Sequence, residues 1–253
     1  MIQIEKEVFH NIPILNVCET DKNDRALPTV IYYHGFNGEK ESSLTIAYKI
    51  AENGYRVILP DSHLHGERKE NISQTELELA FWEVVEQNIK ELADIREYIT
   101  AKKLTIPEKI GIGGTSMGGI TTYGALKQYD WIQAAASLMG TPKMTTYAQW
   151  LIDHFNATNE KKITETEAKE VIEHLTSFDL SINPENLNER PLFIWHGNED
   201  EVVPSAHDVS FYEEMRNQYS NKDHLYFILE KGRGHHISRL SIAEIAKWFK
   251  ENL

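Results

Sequence analysis

The chain has 253 residues, with 26 Lys+Arg against 39 Asp+Glu, a formal charge of −13, 41% hydrophobic residues and 26% charged ones. That composition belongs to a folded globular protein, not to a disordered or collagen-like chain, and the length suits one large domain or two small ones, a size that α/β folds often reach as a single unit. The acidic balance argues against nucleic acid and anionic membranes as partners, since both need a basic surface.

Cys18 is the sole cysteine, so no internal disulfide can form and a cysteine-only metal cluster is excluded. Glu5, Lys6 and Glu7 interrupt the first residues, so no signal-peptide core is expected there. No stretch approaches the roughly 18 apolar residues of a membrane span. The expected location is the cytoplasm, and the single cysteine fits a reducing compartment.

In chain order, Ile2 to Val17 holds two short alternating runs, IQIEKEVF and IPILNV, which predict an antiparallel hairpin at a sheet edge. Thr29 to Tyr33 is a continuous apolar run ending in His34-Gly35, as expected of a strand buried on both faces. Ser43 to Asn53 reads as a helix that Gly54 terminates, and Arg56 to Asp61 as the next buried strand. Ser73 and Glu76 form a capping-box signature. Behind them Leu77, Phe81, Val84, Asn88, Leu92, Ile95 and Ile99 predict one long amphipathic helix covering a sheet face.

Lys109 to Gly114 reads as a strand running straight into a helix near Ser116, and Ile132 to Gly140, Pro191 to Gly197 and His224 to Glu230 read as further strands. A last amphipathic helix carries Leu240, Ile242, Ile245, Trp248 and Phe249. This alternation predicts a parallel sheet with helices on both faces. Between Thr141 and Arg190 about 50 residues separate two strands, far more than a simple connection needs. Helical patterns at Ala148–Phe155 and Glu165–Leu175 make this segment an expected lid inserted into one domain.

The chemistry centres on Gly113-Gly114-Thr115-Ser116-Met117-Gly118-Gly119, which contains G-x-S-x-G. A strand before it and a helix after it are the context of a nucleophile elbow, a turn so sharp that side chains two residues either way would collide with their neighbours. Ser116 then stands at a helix N-terminus, where orphan amides favour a developing anion. Phosphate-loop readings fail: Ser116 replaces the third glycine of G-x-G-x-x-G, and no lysine follows Gly118.

A serine needs a base, and the base needs an orienting acid, in the chain order Ser, Asp, His. Asp200 follows the strand ending at Gly197, with Glu199 and Glu201 as neighbours that a one-residue error would select. His235 follows the last strand on the glycine-rich loop Gly232-Arg233-Gly234; His236 is an alternative by spacing alone, and His235 is preferred because it directly follows Gly234. The expected oxyanion donors are the amides of Met117 and Phe36, with Gly35 admitting the substrate and His34 at the pocket or holding its loop. Tyr147 and Trp150, with Leu151 and Phe155, are the lid's candidates for an acyl pocket. His63-Leu64-His65 invites a metal reading, but Glu67 and Arg68 stand where H-x-H-x-D-H needs aspartate and histidine, so no metal and no cofactor are expected.

With these residues in hand, the chain from near Thr29 onward resembles the α/β-hydrolase superfamily. It looks closest to small bacterial carboxylesterases of the dienelactone-hydrolase-like and prolyl-oligopeptidase-catalytic-domain-like group, through YYHGFNGEK, GYRVILPDSHLHGER, GIGGTSMGG, WHGNEDEVVP and GRGHHIS. The resemblance implies an eight-stranded, mostly parallel sheet, and its H-G-x-x-D-x-x-V-P and G-x-G-H stretches single out Asp200 and His235. Dienelactone hydrolases use a cysteine where this chain has Ser116, which puts that substrate in doubt. Oligopeptidases carry an N-terminal propeller that is not read here. The resulting expectation is a cofactor-free serine esterase acting on a small neutral ester. An aminopeptidase or acyl-peptide hydrolase would share the triad; a thioesterase would want a basic patch for a polyanionic carrier; a non-catalytic binding protein would not need the triad intact.

Overall fold

The N-terminal alternation becomes β1 (Ile2–Phe9) and β2 (Ile12–Glu19), paired in register from Ile2↔Glu19 to Phe9↔Ile12. The two residues of the turn, His10 and Asn11, both take left-handed φ values of 45° and 64°, the conformation a two-residue hairpin requires. β1 shows every second residue to solvent while β2 is buried almost throughout, so the hairpin forms the edge and first inner strand of the sheet.

The computed structural model describes residues 1–253. After the hairpin come β3 (Leu27–Tyr33), a short 3₁₀ turn at Lys40–Ser43, α1 (Leu44–Ala51) and β4 (Arg56–Pro60). Then follow α2 (Gln74–Leu79), α3 (Phe81–Ala101), β5 (Thr105–Thr115), α4 (Met117–Gln128) and β6 (Ala134–Leu138). The remainder is α5 (Met144–Thr158), α6 (Glu165–Leu175), β7 (Leu192–Gly197), α7 (Ala206–Met215), β8 (Leu225–Glu230) and α8 (Arg239–Asn252).

The eight strands form one sheet in the order β1-β2-β4-β3-β5-β6-β7-β8. β2 runs antiparallel to both neighbours, and every pair from β4 to β8 is parallel. The continuous apolar runs are explained by two-sided burial. In β3, Val30 and Tyr32 face a cluster completed by Ile46, Ile50, Ile245 and Phe249 of α1 and α8, whereas Ile31 and Tyr33 face one completed by Leu92, Ile95 and Tyr123 of α3 and α4. A third cluster, with Val84, Met117, Ile120 and Tyr147, caps the carboxyl ends of the strands.

Two elements differ from the sequence reading. The single long helix is broken at Ala80, whose φ of −81° and ψ of 1° leave the helical region. The break lets Leu77, Ala80, Phe81 and Trp82 all turn onto the third cluster, while α3 continues along the sheet. The capping box at Ser73 and Glu76 closes α2 as expected. β5 also begins earlier, at Thr105, because Leu27↔Thr105 pairing resumes beyond an irregularity in its ladder with β3. No helix is long and apolar enough to cross a membrane.

Candidate active site

β5 enters α4 through Ser116, whose φ of 56° and ψ of −114° make it the hinge of the turn. The flanking glycines are a steric necessity. A Cβ on Gly114 would lie 2.2 Å from the Gly118 carbonyl, and one on Gly118 would lie 2.2 Å from the Tyr33 carbonyl oxygen of β3. The Ser116 amide donates to the Leu138 carbonyl at 2.8 Å and its carbonyl accepts from Ile120 at 2.9 Å, which ties the elbow to β6 and α4.

The turn after β7 brings Asp200 to this elbow, and the loop after β8 brings His235. His235 Nδ1 donates to Asp200 Oδ2 at 2.7 Å, and its Nε2 lies 2.8 Å from Ser116 Oγ. Asp200 Oδ1 accepts from the Val202 and Val203 amides, both at 2.9 Å. Burial works against a charge on Asp200, but hydrogen bonds from His196, His235 and the Val203 amide outweigh it and hold the carboxyl far below the usual range. Asp200 therefore stays ionised and accepts the His235 Nδ1 proton, with Nε2 turned to Ser116 Oγ. The competing residues stand apart: Glu199 and Glu201 are exposed, and His236 is exposed and faces Arg233 at 3.4 Å.

Met117 is the first residue of α4, where amides have no intrahelical acceptor. Phe36 sits in the turn closed by the Gly38 amide on the Gly35 carbonyl at 3.0 Å, and its own amide donates no hydrogen bond within the protein. That turn is pinned from behind: Asp61, at the end of β4, accepts from the Lys40 amide at 2.9 Å and from Lys40 Nζ at 2.8 Å, all inside the protein.

His34 is a correction to its placement at the pocket. It is 1% exposed; Nδ1 donates to the Gly35 carbonyl at 2.8 Å and Nε2 accepts from the Ser62 amide at 3.1 Å. Burial lowers its pKa to about 4, so it is a neutral strut between the β3 and β4 loops. The H-x-H segment lies beside the Phe36 turn: His65 donates from Nδ1 to the His63 carbonyl at 2.8 Å and meets Phe36 edge-on at 5.3 Å.

A cavity of about 360 Å³ opens beside Ser116, lined mostly by apolar side chains, among them Phe36, Phe81, Trp82, Ile120, Tyr147 and Leu151. Tyr147 lines it and donates from its hydroxyl to the Val202 carbonyl at 3.2 Å. Trp150 does not: it is 38% exposed and stacks on Tyr147 at 5.7 Å from outside. Three residues advance a helix about 300°, which turns Trp150 away, while four and eight bring Leu151 and Phe155 onto the lining. Phe81 and Trp82 of α3 were not anticipated; the adjacent aromatics at a helix start were the available signal.

His196 was likewise overlooked, although a polar residue in the apolar run of β7 must be satisfied inside the protein. It is fully buried, 2.7 Å from Asp208 and 3.2 Å from Asp200. Burial opposes its charge, but the two carboxylates raise its pKa to about 9. Its stabilising contribution is full below the unfolded value of 6.5 and is lost as pH rises through about 9. Urea unfolding is expected to show stability falling by about 3 kcal/mol across that window.

The chain also matches known proteins. Residues 45–253 match the model of the prolyl oligopeptidase family. The chain belongs to the prolyl oligopeptidase family. It is thereby a serine hydrolase of the α/β-hydrolase superfamily, and the matched residues contain Ser116, Asp200 and His235. The Bacillus subtilis (strain 168) protein YitV, provisionally named an esterase, is 40% identical over 255 residues covering all of both chains. The Escherichia coli (strain K12) esterase YjfP is 28% identical over 253 residues, again covering all of both. The crystal structure of TT1662 from Thermus thermophilus superposes with a TM-score of 0.80 at 18% identity, covering 99% of this chain and 98% of that one, so it shares the fold. The Phe36 turn lies ahead of the matched family region, but the full-length relatives span it.

Proposed function

We propose that this member of the prolyl oligopeptidase family is a carboxylesterase that cleaves small, neutral, apolar esters through an acyl-enzyme on Ser116. The carrying observation is the unbroken chain Asp200–His235–Ser116, at 2.7 and 2.8 Å, opening onto a predominantly apolar cavity. The names of YitV and YjfP support ester cleavage over other acyl transfers.

Ser116 Oγ attacks the ester carbonyl carbon as its proton passes to His235 Nε2, and Asp200 stabilises the imidazolium that forms. The Phe36 and Met117 amides receive the oxyanion. The carbon–oxygen bond breaks, the alcohol leaves with the proton from His235, and the same histidine then activates water to release the acid. The segment at 141–190 acts as a lid: Tyr147, Leu151 and Phe155 of α5, and Ile163 and Val171 beyond them, form one wall of the cavity.

A fluorophosphonate should label Ser116, located by peptide mapping, and a graded panel of p-nitrophenyl esters should be hydrolysed in preference to p-nitroanilides of the same acids. Label elsewhere, or amides cleaved faster than esters, would reject this reading. Filling the cavity with Leu151→Trp should lower kcat/KM for a p-nitrophenyl octanoate by roughly 10- to 100-fold while leaving the acetate within about 3-fold, since each methylene in an apolar pocket carries discrimination of that order.

A further inference from the structure

Behind the triad lies a second set of groups that ester hydrolysis does not by itself require. His196 Nδ1 lies 2.7 Å from Oδ2 of Asp208 on α7. Its Nε2 lies 2.9 Å from the Val203 carbonyl and 3.2 Å from Asp200 Oδ2. A carbonyl can only accept, so Nε2 carries a proton; an ionised carboxylate can only accept, so Nδ1 carries the other. The ring is an imidazolium with no exposed surface. Tyr123 of α4, also buried, donates to Asp208 Oδ1 at 2.7 Å. A continuous path thus runs Tyr123–Asp208–His196–Asp200–His235–Ser116.

We propose that His196 is a positioning residue for the catalytic acid, a buried imidazolium held charged by Asp208 and Tyr123 that shares Asp200 Oδ2 with His235. The inference rests on the triad reading above. Asp200 Oδ2 accepts from His235 at 2.7 Å and lies 3.2 Å from the charged His196 ring, whose Nε2 proton goes to the Val203 carbonyl, and its Oδ1 is occupied by two amides. All four contacts hold the carboxylate in one orientation. The fixed positive charge also opposes a second positive charge on the far side of Asp200.

The other ionisable groups around this path leave that balance to His196. His207, next to Asp208, bonds Thr141 at 3.0 Å, and burial lowers its pKa, so its ring is neutral. Its own more distant charges are Lys143 and Asp179. The Tyr147 phenol is raised by burial and then by the Asp200 charge, and the Tyr123 phenol by burial and then by Asp208, so both stay protonated. On the His235 loop, Arg233 is paired with Glu230 at 2.9 Å and faces His236.

His196→Gln removes the charge and keeps a donor; Asp208→Asn removes the counter-ion, so the buried ring sheds its proton. For both variants the acid limb of the kcat/KM profile for p-nitrophenyl acetate should move upward by about half to one pH unit, with KM within about 2-fold, because His196 does not line the cavity. A folded variant whose plateau falls but whose acid limb stays put would reduce His196 to a packing role and overturn the proposal. Should neither variant fold, the wild-type protein decides: with ¹⁵N-labelled histidine, one ring should remain doubly protonated to about pH 8, and a spectrum of neutral rings only would overturn it. That spectrum does not depend on Ser116, so failure of fluorophosphonate labelling would strike the triad reading separately.

Discussion

Ser116→Ala is expected to lower kcat/KM for p-nitrophenyl esters by roughly 10⁴-fold or more while the protein melts almost as the parent does. The Oγ has one polar partner, His235 Nε2, so its removal leaves no buried group stranded. The bonds that build the elbow, Ser116 amide to Leu138 and Ile120 amide to the Ser116 carbonyl, belong to the backbone and survive. Alanine also meets the same φ of 56° that serine already tolerates. The amides of Phe36 and Met117, the proposed oxyanion donors, persist with the cavity, and on that proposal they account for whatever turnover remains. Steady-state kinetics beside a thermal melt check both halves; full activity in a folded variant would reject Ser116 as the nucleophile.

The strands were legible because the sheet is buried on both faces. Thr29–Tyr33 and Pro191–Gly197 have nowhere else to put so many consecutive apolar residues, and the hairpin announced itself by alternation. The elbow was legible for a related reason, since Gly114 and Gly118 stand where no Cβ fits. Residues whose role depends on distance through space were not. Ile120 of α4 and Val171 of α6 meet only around the cavity, and nothing local marks them. His34 carries the same side chain whether it faces substrate or bonds Gly35 and Ser62, and only the fold decides. Trp150 and Tyr147 sit three residues apart on one helix, yet a rotation of about 60° puts one on the cavity and the other outside it.

Burial and reactivity meet at the carboxyl edge in a consistent way. Asp61 with Lys40 anchors the turn that carries Phe36, and Asp208 with His196 stands behind the turn that carries Asp200. Each is a buried ion pair one step removed from a proposed reacting group. Such pairs are weak sources of net stability, because desolvation offsets most of their attraction. What they supply is a single geometry, since leaving either partner unpaired is costly. The reacting loops can therefore be short and exposed to substrate without being loose.

Gly118→Ala should be among the most damaging small substitutions in the chain, costing upwards of roughly 4 kcal/mol and leaving little folded protein. Its Cβ would fall 2.2 Å from the Tyr33 carbonyl oxygen, 2.7 Å from the carbon behind it and 2.9 Å from the His34 carbonyl oxygen. These are backbone atoms at the end of β3 and of the residue after it; Tyr33 is held by pairing to Gly114 of β5, and no rotamer change can clear them. Relief requires α4 to move off the sheet, which opens the packing around Ile120 and Tyr123 at full cost. Gly35→Ala is the matched control. Its Cβ would meet the Thr115 carbonyl oxygen at 3.4 Å and the Ser116 Cβ at 3.5 Å, ordinary contacts, so stability should change by less than about 1 kcal/mol. The same methyl group would stand 3.5 Å from the Cβ of the proposed nucleophile, so esterase activity should fall although the fold survives. Urea unfolding of both variants separates the two cases: a stable Gly118→Ala protein would show that the elbow does not need its second glycine.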